Sequence, residues 1–259
     1  MQPFPSGTEI VRFSHVSKQY PGVLANDDVS LSVEKGEVFA LVGENGAGKS
    51  TLMNMLYGLT RPTLGEIWIK DEKTGAQHSP VEAMRMGVSM VHQHFKLVPS
   101  FTVAQNILLG HEPKKNGLFY DAEGADRAVR ELSETYGLLV EPKDVVGELS
   151  VGLQQRVEIL KALRTGAEVL VLDEPTAVLT PQEIEELMQI MRGLTKEGKS
   201  ILFISHKLNE IMEVSDRVTV LRKGKYIGTV ETKDTTAEEL SRMMVGRNVS
   251  FHVEKSPAH

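Results

Sequence analysis

Two periodicities organise the apolar residues of this chain. Val29-Ser30-Leu31-Ser32-Val33 and Glu66-Ile67-Trp68-Ile69-Lys70 alternate with period two, which predicts strands with one wet face, and Ile10-Val11-Arg12-Phe13 is strand-like as well. Other runs are apolar almost without a break: 38–42, 88–91, 168–172 and 201–204. Runs of that length predict interior strands buried on both faces. Between them the period lengthens to that of a helix. Thr51, Leu52, Met53, Met55, Leu56 and Leu59 predict a short helix that Gly58 caps, and Pro80 to Met86 predicts another closed by Gly87. Phe101 to Leu109 is helix-compatible, Ala125, Ala128, Val129, Leu132 and Tyr136 recur at helical spacing, and Leu153, Val157, Leu160 and Leu163 follow. Thr180-Pro181 supplies an N-cap and a first-turn proline for a helix with Ile184, Leu187, Met188, Met191 and Leu194 on one face. Leu208 to Val214 and a segment from Thr236 through Met244 complete the set.

Strands alternating with helices predict a largely parallel α/β sheet. Residues 99–164 read as a mostly helical insertion between interior strands, with a polar loop at 114–117. Arg217 to Val230 predicts a hairpin around Lys223-Gly224-Lys225 that closes the sheet. The expected organisation is one domain over 1–246 and a polar tail over 247–259, with no internal repeat.

Composition changes this picture little. The 259 residues suffice for a genuine core, and 41% apolar with 25% charged is ordinary for a soluble protein. A formal charge of −6 argues against nucleic acid as the partner. With no cysteine, disulfides and thiolate metal sites are excluded. No apolar stretch is long enough to cross a bilayer, and Met1 to Ser6 lacks the features of a secretion signal, so a cytosolic location is expected.

The chemistry lies where interior strands end. Gly43-Glu44-Asn45-Gly46-Ala47-Gly48-Lys49-Ser50, continued by Thr51, fits the phosphate-loop pattern G-x-x-x-x-G-K-[ST], between an apolar strand and a helix start. Gly43, Gly46 and Gly48 allow a tight turn that aims N–H groups at phosphate oxygens, and the helix N-terminus adds its positive dipole end. Lys49 would bring charge to the β and γ phosphates and Ser50 a hydroxyl to Mg²⁺. Asp173 stands where a carboxylate would hold Mg²⁺, and Glu174 beside it could act as general base toward water. Gln93 ends another strand and could ligate Mg²⁺ or position water; His206 ends the next and could hydrogen-bond a γ-phosphate. Paired acids at a strand end, or one Gln or His there, would each be bland alone; their combination with the phosphate loop is not.

These residues resemble the ATP-binding cassette ATPases of transporters, from Ile10 to about Gly246. The phosphate loop matches that family's Walker A motif, 169–174 its Walker B motif, Gln93 its Q-loop and His206 its switch histidine. Tyr20, beside the Pro21-Gly22 turn, takes the place of the aromatic that stacks on adenine, although a lone Tyr there is more often packing. Leu149-Ser150-Val151-Gly152-Leu153 stands at the signature motif, which in the family completes the ATP site of a facing cassette. The resemblance implies a P-loop NTPase (RecA-like) core with an antiparallel β subdomain and a helical insertion carrying the signature. It also implies ATP and Mg²⁺ as cofactors, with transmembrane permease subunits and a second cassette as partners at the cytoplasmic face of the membrane.

Two motifs depart from the family pattern. Val151 and Leu153 replace the usual glycine and glutamine, and Thr180 replaces the aspartate that usually ends the D-loop. The strings 149–160 and 174–183 are similar to the first cassette of tandem importers of nucleosides and simple sugars, the nucleoside branch above all. The expected function is therefore ATP hydrolysis coupled to uptake of a small polar solute. A simple-sugar importer, a cassette ATPase acting outside transport and a regulatory module that binds without hydrolysing are the alternatives.

Overall fold

The computed structural model describes residues 9–115 and 119–246. The tail 247–259 and the end of the 114–117 loop lie outside the described residues. In chain order the elements are β1 (Glu9–Tyr20), β2 (Val23–Glu34), β3 (Val38–Val42), α1 (Lys49–Leu56), β4 (Leu64–Ile69), β5 (Glu72–Lys73), α2 (Pro80–Arg85) and β6 (Val88–Val91). There follow α3 (Val103–Ile107), β7 (Lys114–Lys115), β8 (Phe119–Tyr120), α4 (Ala122–Thr135), a 3₁₀ turn (Val146–Glu148) and α5 (Val151–Arg164). The chain continues through β9 (Val169–Asp173), α6 (Pro181–Lys196), β10 (Ser200–Ile204), α7 (Leu208–Val214), β11 (Arg217–Arg222), β12 (Lys225–Glu231) and α8 (Ala237–Val245).

Six strands form the central sheet in the order β12-β11-β3-β10-β9-β6. Its pairs are parallel except the β11–β12 hairpin. The unbroken apolar runs are explained by cover on both faces. In β3, Val38, Ala40 and Val42 join one apolar cluster while Phe39 and Leu41 join the other. The second cluster is roofed by α1 and by an antiparallel sheet ordered β2-β1-β4-β5. Fully buried rings such as Phe13, Phe39 and Phe203 each contribute about 2–3 kcal/mol of burial free energy.

One expectation needs correcting here. The far face of β2 is not simply wet: Ser32 is buried. The β2 strand packs beside β12, and a groove of ≈ 530 Å³ lies between them, lined by Arg12, Ser32 and Tyr226 among others. Alternation reports which side chains are polar, not whether another sheet edge comes to cover them.

Residues 99–164 contain α3, α4 and α5 as expected, together with the β7–β8 ribbon. They are not walled off from the core. The cluster on the first face of β3 runs through Val103 and Ile107 of α3, Val129 of α4 and Val157 and Leu160 of α5 without a break. Helix starts carry the caps their sequences announce: Ser79 on α2, Thr102 with Gln105 on α3, Asp121 on α4 and Thr180 with Glu183 on α6.

Candidate nucleotide site

Because β3, β6, β9 and β10 run parallel, their carboxyl ends meet at one edge of the sheet, where open α/β folds bind ligands. A cleft of ≈ 670 Å³ opens there. Its walls include Tyr20, Asn45, Gly46, Ala47, Gly48, Lys49, Ser50, Thr51, Gln93, Asp173, Glu174 and His206. Residues separated by up to most of the chain length thus share one cavity.

The phosphate loop is held from two sides. Asn26, fully buried on β2, donates from Nδ2 to the Gly48 carbonyl at 3.2 Å. On the other side Gly224 N–H donates to the Ala47 carbonyl at 3.1 Å. So close is this packing that a Cβ on Gly48 would lie 2.4 Å from the Ala25 carbonyl oxygen. One on Gly43 would lie 2.4 Å from that of Leu221. Gly48 also has φ of 96°, and it caps α1 without any side-chain hydrogen bond, so no capping side chain accepts from the first N–H groups of α1.

Lys49 is 6% exposed and its Nζ donates to the Gly43 carbonyl at 2.7 Å and to that of Glu44 at 3.1 Å. Gly43 and Glu44 are therefore supports of the lysine rather than parts of the cleft wall. Burial holds the Lys49 ammonium below the usual lysine value, against the opposing pull of Glu174 and Asp173. Asp173 is pushed up from the ordinary aspartate value by burial first and by Glu174 second, while the Ser50 hydroxyl and Lys49 oppose this. Its Oδ1 is buried and has no hydrogen-bond partner among the described residues. A desolvated carboxylate oxygen with nothing to bind, beside a serine hydroxyl and with Gln93 on the same wall, fits a divalent cation shared with phosphate oxygens. Among the described residues no three His, Asp or Glu side chains cluster closely enough to hold a metal unaided.

Glu174 has φ of 50°, a conformation that costs a non-glycine residue about 1 kcal/mol or more. Its N–H donates to the Ile204 carbonyl at 3.0 Å, which bends the chain across the end of β10. There its Oε2 lies 2.9 Å from Nδ1 of His206. One ring nitrogen of His206 thus engages the neighbouring carboxylate while the residue lines the cleft. The turn is braced from α7: Thr176 donates its hydroxyl to Glu210 at 2.6 Å, and Lys207 Nζ donates to the Thr176 carbonyl at 2.9 Å.

Leu149, Ser150, Val151 and Gly152 do not reach this cleft. They lie at the start of α5, with Ser150 as N-cap. Tyr20 does line the cleft, and Lys18 Nζ sits 4.9 Å from its ring centroid. Three wall residues escaped the sequence reading: Val23, Leu24 and Ala25. Val23 and Leu24 are exposed apolar residues directly after the Tyr20-Pro21-Gly22 turn, and nothing in the sequence marks them as exposed. Two further supports were missed. Glu158 of α5 accepts from Lys96 N–H at 2.6 Å, and Lys161 donates to the Lys96 carbonyl at 3.1 Å. Together they clamp the segment that follows Gln93 onto α5.

A family model described as ABC transporter matches residues 26–177. The chain belongs to the ABC transporter family. Its α/β architecture is the P-loop NTPase fold of the family's nucleotide-binding cassettes. It is 55% identical over 249 residues to Nucleoside import ATP-binding protein NupA of Lactococcus lactis subsp. cremoris, covering 96% of this chain and 49% of that protein. Guanosine import ATP-binding protein NupO of Bacillus subtilis is likewise 55% identical over 249 residues, covering 96% of this chain and 48% of that protein. The chain thus spans about half the length of the curated relatives it matches. A solved nucleotide-free ATP-binding cassette from an ABC transporter superposes with a TM-score of 0.77 at 28% identity, covering 92% of this chain and 96% of that one. No helix among the described residues is long and apolar enough to cross a membrane.

Proposed function

We propose that this ABC cassette binds and hydrolyses ATP to drive an importer of small polar solutes, nucleosides above all. The observation that carries the hydrolytic reading is the convergence of Lys49, Asp173, Glu174 and His206 on one cleft beside the phosphate loop. The triphosphate would lie against the loop N–H groups, with the Lys49 ammonium at its terminal phosphates. Glu174 would take the proton of a water attacking the terminal phosphorus as the bond to the ADP oxygen breaks. His206, bonded through Nδ1, would hold that carboxylate in position. Ser50, Asp173 and Gln93 would hold Mg²⁺, which when bound supplies electrostatic stabilisation of the phosphoryl oxygens. Tyr20 with Val23 and Leu24 forms a partly apolar shelf suited to a base.

Residues 1–246 act in this reading as one cassette, with the tail 247–259 opening toward a second cassette and permease subunits anchoring the assembly to the cytoplasmic face of the membrane. The 55% identity to nucleoside and guanosine import proteins supports the choice of solute. Uptake of labelled guanosine and ribose, measured in cells that depend on this protein, tests it. Guanosine uptake should be lost with Lys49→Ala and ribose uptake unaffected; loss of ribose uptake alone would reassign the solute.

A further inference from the structure

Ser150 caps α5 by accepting from Leu153 N–H at 3.3 Å. The same hydroxyl donates to Oε1 of Glu183 at 3.2 Å, and Gly152 N–H donates to that oxygen at 3.0 Å. The other oxygen, Oε2, accepts from the N–H and the hydroxyl of Thr180, each at 3.0 Å. One carboxylate therefore serves the starts of two helices, its own α6 and the neighbouring α5. The approach is tight: a Cβ on Gly152 would lie 2.6 Å from Glu183 Oε1. The donors, Thr180 N–H foremost and Gly152 N–H next, hold the Glu183 carboxyl below the usual glutamate value, so it is an anion at neutral pH.

A second observation lies in the seam beneath. Gln155 is 2% exposed, and among the described residues neither its Oε1 nor its Nε2 has a hydrogen-bond partner. It lines a small cavity between α5 and α6 together with Gly152 and Glu183. An amide buried with both ends unmet costs free energy that any arrangement parting the two helices would recover.

We infer that Glu183 is an internal stand-in for a phosphoryl group: its carboxylate occupies Ser150 and Gly152 in the single cassette and yields them to the triphosphate of a nucleotide held by a facing cassette. This rests on the pairing of cassettes proposed above. The ligand class is inorganic or nucleoside polyphosphate, and the receptor is the hydroxyl and N–H pair that Glu183 now fills. Glu183 is a positioning residue. It sets how much nucleotide is needed before the start of α5 can be engaged, and it keeps those donors satisfied until then.

Amide NMR of the full 259-residue chain, titrated with inorganic tripolyphosphate, tests this. In the unaltered chain Gly46, Gly48, Lys49 and Ser50 should shift while Gly152 and Leu153 stay still. In Glu183→Gln, Gly152 and Leu153 should shift as well, with affinity at least about tenfold above the unaltered chain at that site. Glutamine at this position retains the capping box on α6, so the fold should persist, and a melting curve checks it. Glu183→Ser, which removes the reach toward Gly152, should behave alike. Gly152 and Leu153 unmoved in both variants, or moved equally in the unaltered chain, overturns the inference. Silence at Gly46 to Ser50 overturns the nucleotide reading instead, and this inference with it.

Discussion

The starts of α1 and α5 make an instructive pair. Both follow loops carrying glycine, and both present the N–H groups of a helix N-terminus. At α1 nothing caps them: Gly48 has no side chain, no acidic residue occupies the first turn, and a cleft of ≈ 670 Å³ stands open before them. At α5 the same donors are spent on Ser150 and on Glu183, which reaches across from α6. An identical electrostatic resource is thus a receptor in one place and a closed cap in the other. What decides is whether a neighbouring helix supplies an anion.

The largest effect should separate chemistry from binding at the open end. Glu174→Gln should cut ATP turnover by about 10²–10⁴-fold in a phosphate-release assay. Nucleotide affinity by calorimetry should hardly change, since the neutral side chain leaves the loop intact. Were affinity to fall equally, Glu174 would be a ligand rather than a base.

Any pH study of the two helix ends must first be cleared of Glu37, at the opposite end of β3. Burial pushes its carboxyl from 4.5 up to about 7. Between those values the folded chain holds a proton that the unfolded chain has released, so stability falls as pH rises across that window, by up to about 3 kcal/mol. Urea midpoints against pH should show this slope, and Glu37→Gln should remove it. Lys49→Ala should then weaken ATP binding by about 10–100-fold, the worth of a charge-assisted contact to phosphate. A comparable loss from a substitution at the start of α5 in the single chain would break the contrast between the ends.

Glycine substitutions sharpen it. Gly48→Ala drives a methyl into the Ala25 backbone at a left-handed φ and should cost about 2 kcal/mol or more. Gly152→Ala meets the Glu183 side chain, Cγ as well as the carboxylate, which can shift where a backbone cannot, and it gains helix propensity, so its cost should be smaller, about 1 kcal/mol. Melting temperatures compare them directly. Smallest is Ser150→Ala, which should cost about 1 kcal/mol as a lost N-cap, read from denaturant midpoints.

Much of the site was legible before any coordinates. Lys49 was expected in the phosphate loop and Gln93, Asp173, Glu174 and His206 at strand ends, and all five line the cleft. Local patterning suffices for that, because apolar strands bury themselves and place their last polar residue at the sheet edge. Val23 and Leu24 were missed because the shelf they form exists only once β2 is folded beside the phosphate loop. Thr180, which stands where the family has an aspartate, is the N-cap of α6 in a capping box with Glu183.

Sequence alone determined the interior strands, the helices, the phosphate loop and the residues at the strand ends, since each depends on neighbours within a few positions, but not the β7–β8 ribbon, whose first strand lies in what reads as a polar loop. Only the tertiary structure decided that Asn26 and Gly224 grip the loop, that His206 binds Glu174, and that Glu183 fills the start of α5. These contacts join residues 22 to 177 positions apart at the closest and farthest. No period along the chain encodes them. They follow from parallel packing and from the demand that every buried or helix-end donor find an acceptor.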